Sequence, residues 1–205
     1  MDNPYRQATY VLNAARLSQL PQDFGREVAF AGRSNAGKSS AINHLTDQKS
    51  LARTSKTPGR TQQIVVFEID LSRRITDLPG YGYAKVPDKM KQDWRQLMAQ
   101  YFEVRTSLRG VVLVMDIRHP MRPFDEQMLE WCRAVDMPCH ILLTKCDKLK
   151  RGAAQSTLLG LKRHLPEKAS VQLFSALKKV GREQLIAKLD EWFEFEKERE
   201  AIEAS

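Results

Sequence analysis

A three-layer α/β fold, a mostly parallel sheet with one antiparallel hairpin strand and helices on both faces, is the architecture predicted by this 205-residue sequence. Three observations carry the expectation. Short apolar runs at 27–31, 110–116 and 138–144 alternate with amphipathic stretches, the pattern of buried parallel strands joined by covering helices. Two further runs, 64–69 and 74–78, flank a short turn around Asp70-Leu71-Ser72-Arg73 and read as an antiparallel hairpin. The first buried strand leads directly into a glycine-rich loop that opens a helix.

That loop reads Gly32-Arg33-Ser34-Asn35-Ala36-Gly37-Lys38-Ser39-Ser40, a G-x-x-x-x-G-K-S motif between strand and helix. Successive backbone N–H groups at a helix N-terminus make a cradle for phosphate. Gly32 and Gly37 allow the close approach and dihedrals that a Cβ would hinder. Lys38 would reach the β and γ phosphates and the Ser39 hydroxyl would ligate Mg²⁺. The fold class is therefore that of a P-loop nucleotide-binding protein.

The remaining elements follow in order. Residues 8–12 would add a strand, and Leu20-Pro21 ends any local helix. A short helix from Lys38 to about Leu45 precedes a polar Ser/Thr-rich stretch to Gln63, broken at Pro58-Gly59 and long enough to be a functional loop. Pro87 would open a helix in which Met90, Trp94, Leu97, Met98, Tyr101 and Phe102 recur at helical spacing as core packing. Helices are expected at 123–135, at 152–164 and around Leu185 to Phe193, with a short strand at 170–174. The organisation expected is an extension at 1–26 packed on one nucleotide-binding domain at 27–195, then a charged tail at 196–205.

Composition bounds the function. No apolar run approaches a membrane span and the N-terminus lacks a secretory h-region, which places the chain in the cytoplasm. Cys132, Cys139 and Cys146 have no zinc-like spacing and read as reduced packing residues. The net charge of +8 is unevenly spread: ten Lys or Arg between Lys145 and Arg182 face only Asp147 and Glu167, whereas Glu183 to Ser205 carries eight acids and three bases. A polyanionic partner such as nucleic acid and a merely solvated basic face both fit that distribution.

Two later motifs sit at strand ends, where ligands of such sheets bind. Asp77-Leu78-Pro79-Gly80 offers a carboxylate for Mg²⁺ and a Gly80 N–H for the γ-phosphate. Thr144-Lys145-Cys146-Asp147 offers a carboxylate able to accept from both N1–H and N2–H₂ of guanine, a donor pair adenine lacks. Lys145 would lay its stem over the base. After the strand ending near Phe174, Ser175-Ala176 would donate a backbone N–H to guanine O6. Together these pieces resemble the G1, G3, G4 and G5 elements of translation-factor-class GTPases, so the resemblance implies a G domain binding GTP and GDP.

More narrowly, the glycine-rich loop, Thr57-Pro58-Gly59-Arg60-Thr61-Gln62, Asp77-Leu78-Pro79-Gly80-Tyr81-Gly82-Tyr83-Ala84 and Thr144-Lys145-Cys146-Asp147 are similar to the EngB (YihA/YsxC) family of small bacterial GTPases. The resemblance implies Mg²⁺-dependent GTP binding, a role in late assembly of the large ribosomal subunit and a requirement for cell division and septation. It also implies that Thr61 completes the Mg²⁺ shell with Ser39 and Asp77 only while the γ-phosphate is present, with Gly59 and Arg60 beside the nucleotide. Tyr81 stands where signalling GTPases carry a water-orienting Gln, so slow intrinsic hydrolysis is expected. Asn35 resembles the loop asparagine of GTPases that recruit K⁺, which would join Lys38, Thr61 and Gly80 in catalysis. Thr144, where the family's fourth motif has Asn, is expected to weaken one bond to the phosphate loop. Rival readings are a nucleotide-dependent scaffold recruiting division proteins without turnover and an ATP-dependent small-molecule kinase. A monomer is expected.

Overall fold

The computed structural model describes residues 3–53, 63–81 and 88–195. Its strands are β1 (Thr9–Ala14), β2 (Arg26–Gly32), β3 (Ile64–Asp70), β4 (Arg73–Asp77), β5 (Leu108–Asp116), β6 (Cys139–Thr144) and β7 (Ala169–Leu173). The helices are α1 (Lys38–Thr46), α2 (Asp88–Val104), α3 (Pro123–Ala134), α4 (Arg151–Lys162) and α5 (Arg182–Phe193). Pro87, expected to open α2, and the tail at 196–205 lie outside the described residues, as does 54–62 of the long polar loop.

Apolar side chains on both faces make β5 and β6 central: every residue of β6 is buried, and so are Gly110 to Met115 of β5. The sheet runs β1-β3-β4-β2-β5-β6-β7. Strand β3 pairs antiparallel with both neighbours, β1 and β4, while all other pairs are parallel, so β3 alone runs against the rest. Its hairpin to β4 turns at Leu71-Ser72, where the Asp70 carboxylate accepts from the Ser72 N–H and hydroxyl. The N-terminal strand is present as an edge, β1, mostly exposed along its length.

Two apolar layers sandwich this sheet. Trp94, Met98, Tyr101 and Phe102 of α2 pack with Met128, Leu129 and Cys132 of α3 and Ala154 of α4 on one face. Ile42 and Leu45 of α1 join Leu185, Leu189, Trp192 and Phe193 of α5 on the other. At the amino end of the parallel strands Glu27, 1% exposed, accepts from the Tyr101 hydroxyl and from Arg105 Nη2 at 2.8 Å. A buried carboxylate is tolerable there because both neighbours donate to it. The described motif residues lie at the opposite end, beyond the carboxyl ends of β2, β4, β6 and β7. No helix among the described residues is long and apolar enough to cross a membrane, and the three cysteines are free.

Candidate functional site

The glycine-rich loop fills the turn from β2 to α1. A Cβ on Gly32 would sit 2.6 Å from the Val114 carbonyl oxygen, so neighbouring β5 admits only glycine there. Gly37 caps α1 with φ of 99°, and Asn35 also takes the left-handed region at 62°, which asparagine tolerates better than most residues. The first residue of α1, Lys38, forms an ion pair with Asp77, the last residue of β4; both side chains are nearly buried. Ser39 Oγ donates to the Arg53 carbonyl at 3.2 Å, and Asn43 holds the same stretch by pairing with both backbone groups of Ala52.

The Asp77–Gly80 segment is laced to the phosphate loop. Ser34 N–H donates to the Tyr81 carbonyl at 2.9 Å, and Trp94 Nε1 donates to the Pro79 carbonyl at 3.1 Å. The Tyr81 side chain turns away into the core, 3% exposed against Trp94 and Phe124, with its hydroxyl donating to Asp125 Oδ1 at 2.7 Å. Burial raises the pKa of both groups, and the Asp125 charge raises that of the phenol further. The phenol therefore stays protonated as a donor.

The third segment follows β6. Thr144 Oγ1 contacts the Ala36 carbonyl of the phosphate loop and lies 3.0 Å from the Met115 carbonyl. A weaker bond than asparagine would give is the expectation at this position, and the Thr144 hydroxyl does reach the loop. Lys145, at φ of 56°, places its ammonium 2.6 Å from the Asn35 carbonyl and 2.9 Å from Asp116 Oδ2. Burial alone would raise the Asp116 pKa, but hydrogen bonds from Arg118 and Lys145 hold it well below the usual carboxylate range. Asp147 accepts from Ser175 Oγ at 2.5 Å, and Lys148 lies 3.9 Å from its other oxygen. The Ser175 amide, expected to face a base, instead donates to the Val180 carbonyl at 3.0 Å. That leaves Ala176 as the next amide along the turn.

A cleft of about 910 Å³ brings together Arg33, Ser34, Asn35, Gly37, Lys38, Ser39 and Ser40 with Asp77, Leu78, Pro79, Gly80 and Lys145. Gly32, Ala36, Thr144, Cys146, Asp147, Phe174, Ser175 and Ala176 do not line it. Phe174 is a core residue, 1% exposed and edge-on to His44. Gly59, Arg60 and Thr61 lie outside the described residues. Of the expected metal ligands, Ser39 and Asp77 are therefore the two described; both offer hard oxygen donors, the chemistry Mg²⁺ prefers while keeping waters and phosphate oxygens. Among the described residues no group of three or more His, Cys, Asp or Glu side chains is placed to hold a metal by itself.

Sequence reasoning missed Asp116, Asp125 and Asn43, which hold Lys145, Tyr81 and the loop at Ala52. Asp116 alone of the three left a signal, as a carboxylate closing an apolar strand at its ligand-facing end.

The family described as 50S ribosome-binding GTPase matches residues 27–145. A probable GTP-binding protein EngB of Hydrogenovibrio crunogenus is 55% identical over 201 residues, 96% of this chain and 95% of that protein. Another from Nitrosococcus oceani is 58% identical over 195 residues, 94% and 98% of the respective chains. The crystal structure of a probable GTP-binding protein engB superposes with a TM-score of 0.67 at 25% identity, covering 82% of this chain and 98% of that one.

Proposed function

Because this chain belongs to the EngB family of GTP-binding proteins, we propose that it is a Mg²⁺-dependent GTPase switch acting late in assembly of the large ribosomal subunit. Residues 27–195 form its nucleotide-binding unit, and the 1–26 extension packs on it through contacts such as the Tyr5 hydroxyl on Asp190 at 2.7 Å. The observation that carries this reading is the convergence of the phosphate loop, Asp77–Gly80 and Lys145 on one cleft at the carboxyl ends of the strands. The requirement for division and septation follows from the family resemblance.

Lys38 and Asp77 neutralise each other at the mouth of the cleft. An arriving nucleotide gives each a better partner: the loop amides and Lys38 take the β and γ phosphates, and Ser39 and Asp77, with Thr61, hold Mg²⁺. When bound, Mg²⁺ neutralises charge on the phosphate oxygens. Asp147 reads N1–H and N2–H₂ of guanine, steadied by Ser175 Oγ, and Ala176 supplies the N–H for O6. Lys145 links base to phosphate because its ammonium bonds the Asn35 carbonyl while its stem covers the purine. Gly80 and Thr61 sense the γ-phosphate, and its loss releases their loops.

Intrinsic turnover is slow because Tyr81 commits its hydroxyl to Asp125 and leaves no side chain there to orient water. Asn35 would hold K⁺, which would supply charge stabilisation beside the phosphates. The decisive experiment is Asp147→Asn. Preference should pass from guanine to xanthine nucleotides, since the 2-oxo group of xanthine accepts where guanine donates, and the loss of GTP affinity should be about 10²-fold or more. Unchanged GTP affinity by calorimetry would reject the base site.

A further inference from the structure

Helix α4 turns Ala154, Leu158 and Leu161 toward the sheet. Its helical spacing then sets Gly152, Ser156, Leu159, Gly160 and, just past its end, Arg163 on the opposite face, all exposed. At Gly152 and at Gly160 an added Cβ would meet nothing within 4 Å, and neither glycine has positive φ. Glycine destabilises a helix interior relative to alanine, so neither internal packing nor backbone conformation accounts for these two.

Charge supplies the second observation. From Lys148 to Pro166 the chain has no acidic residue but carries Lys148, Lys150, Arg151, Lys162 and Arg163. Arg151 and Lys162 share one flank of the bare face, and with Arg163 they make no ion pair with a described residue. Arg133, by contrast, is matched by Glu130 and Lys168 by Asp136.

We infer that this face of α4 docks against the phosphate backbone of a folded RNA helix, an inference that rests on the ribosomal reading above. The glycines let the helix approach a bulky double strand, while Arg163 on the bare face and Arg151 and Lys162 along its one flank reach phosphates and release condensed counterions. The absence of acids removes repulsion. Leu159, 47% exposed on this face, meets sugar edges in the shallow minor groove, where RNA is read by shape. The face lies outside the nucleotide cleft, so it can be altered without touching GTP.

The test uses the full-length protein loaded with a non-hydrolysable GTP analogue and cosedimented with purified large ribosomal subunits over a range of salt. Arg151→Ala, Lys162→Ala and Arg163→Ala combined should weaken binding about tenfold or more and flatten its salt dependence. Gly160→Gln improves helix propensity and enters open space, so it should raise the unfolding midpoint while weakening subunit binding several-fold at unchanged nucleotide affinity. A photocrosslinking side chain at Ser156 should label ribosomal RNA. Labelling of a ribosomal protein alone, no crosslink, or equal binding by all variants overturns the RNA-docking face and leaves the ribosomal reading standing. If wild type itself fails to sediment with subunits, the ribosomal reading falls and this inference with it.

Discussion

Tyr81 and Asp125 form a pair in which neither partner is tolerable alone. Burial favours a neutral carboxyl at Asp125, and the Tyr81 hydroxyl and Arg122 N–H offset that by donating to it. Tyr81→Phe should therefore cost about 1–3 kcal/mol, read as a lowered urea midpoint; an unchanged midpoint would show that Asp125 finds another donor. The reason such a pair escapes sequence reading is its separation of 44 positions, and the Lys145–Asp116 contact spans 29. The position of Lys38 at the opening of α1 was legible, in contrast, because the glycine-rich motif fixes it locally. Ser175 was half legible: spacing marked its turn, but the pairing of its amide with Val180 was not visible in the sequence.

Among the elements, β5 shows how one small residue sets the distance between layers. A Cβ on Gly110 would lie 2.5 Å from the Trp192 ring of α5. Gly110→Ala should push α5 off the sheet at a cost of about 1–3 kcal/mol, measured by thermal or urea unfolding, whereas no loss would mean that Trp192 repacks freely. The central strands were plain in the sequence because burial on both faces leaves continuous apolar runs. Edge strand β1 was faint for the opposite reason: its residues are mostly exposed, and its place is decided by backbone pairing with β3 instead of by an apolar face. The α4 glycines were visible as residues, but their openness required knowing which side of the helix meets the sheet.

For the molecule as a whole, a buried histidine ties stability to pH. His140 is 2% exposed, hydrogen-bonded to Ser170 and Gln172, and burial lowers its pKa from the ordinary 6.5. The folded state thus binds fewer protons than the unfolded one. Stability should fall as pH drops through the unfolded value, by up to about 1 kcal/mol between pH 7 and 5.5. His140→Gln should show a shallower decline over that window; parallel curves would mean that His140 titrates alike in both states. His44 is also lowered by burial and by Arg182, so comparing the two proteins isolates His140.

The contact of Tyr5 with Asp190 closes the chain on itself across 185 positions. Tyr5 is wholly buried against Phe193, and Asn3 reaches the Leu45 carbonyl. During synthesis Tyr5 cannot complete its packing until the last helix has emerged from the exit tunnel, even though Asn3 can meet Leu45 much earlier. Every newly made copy therefore passes through an interval in which its opening residues are only partly held.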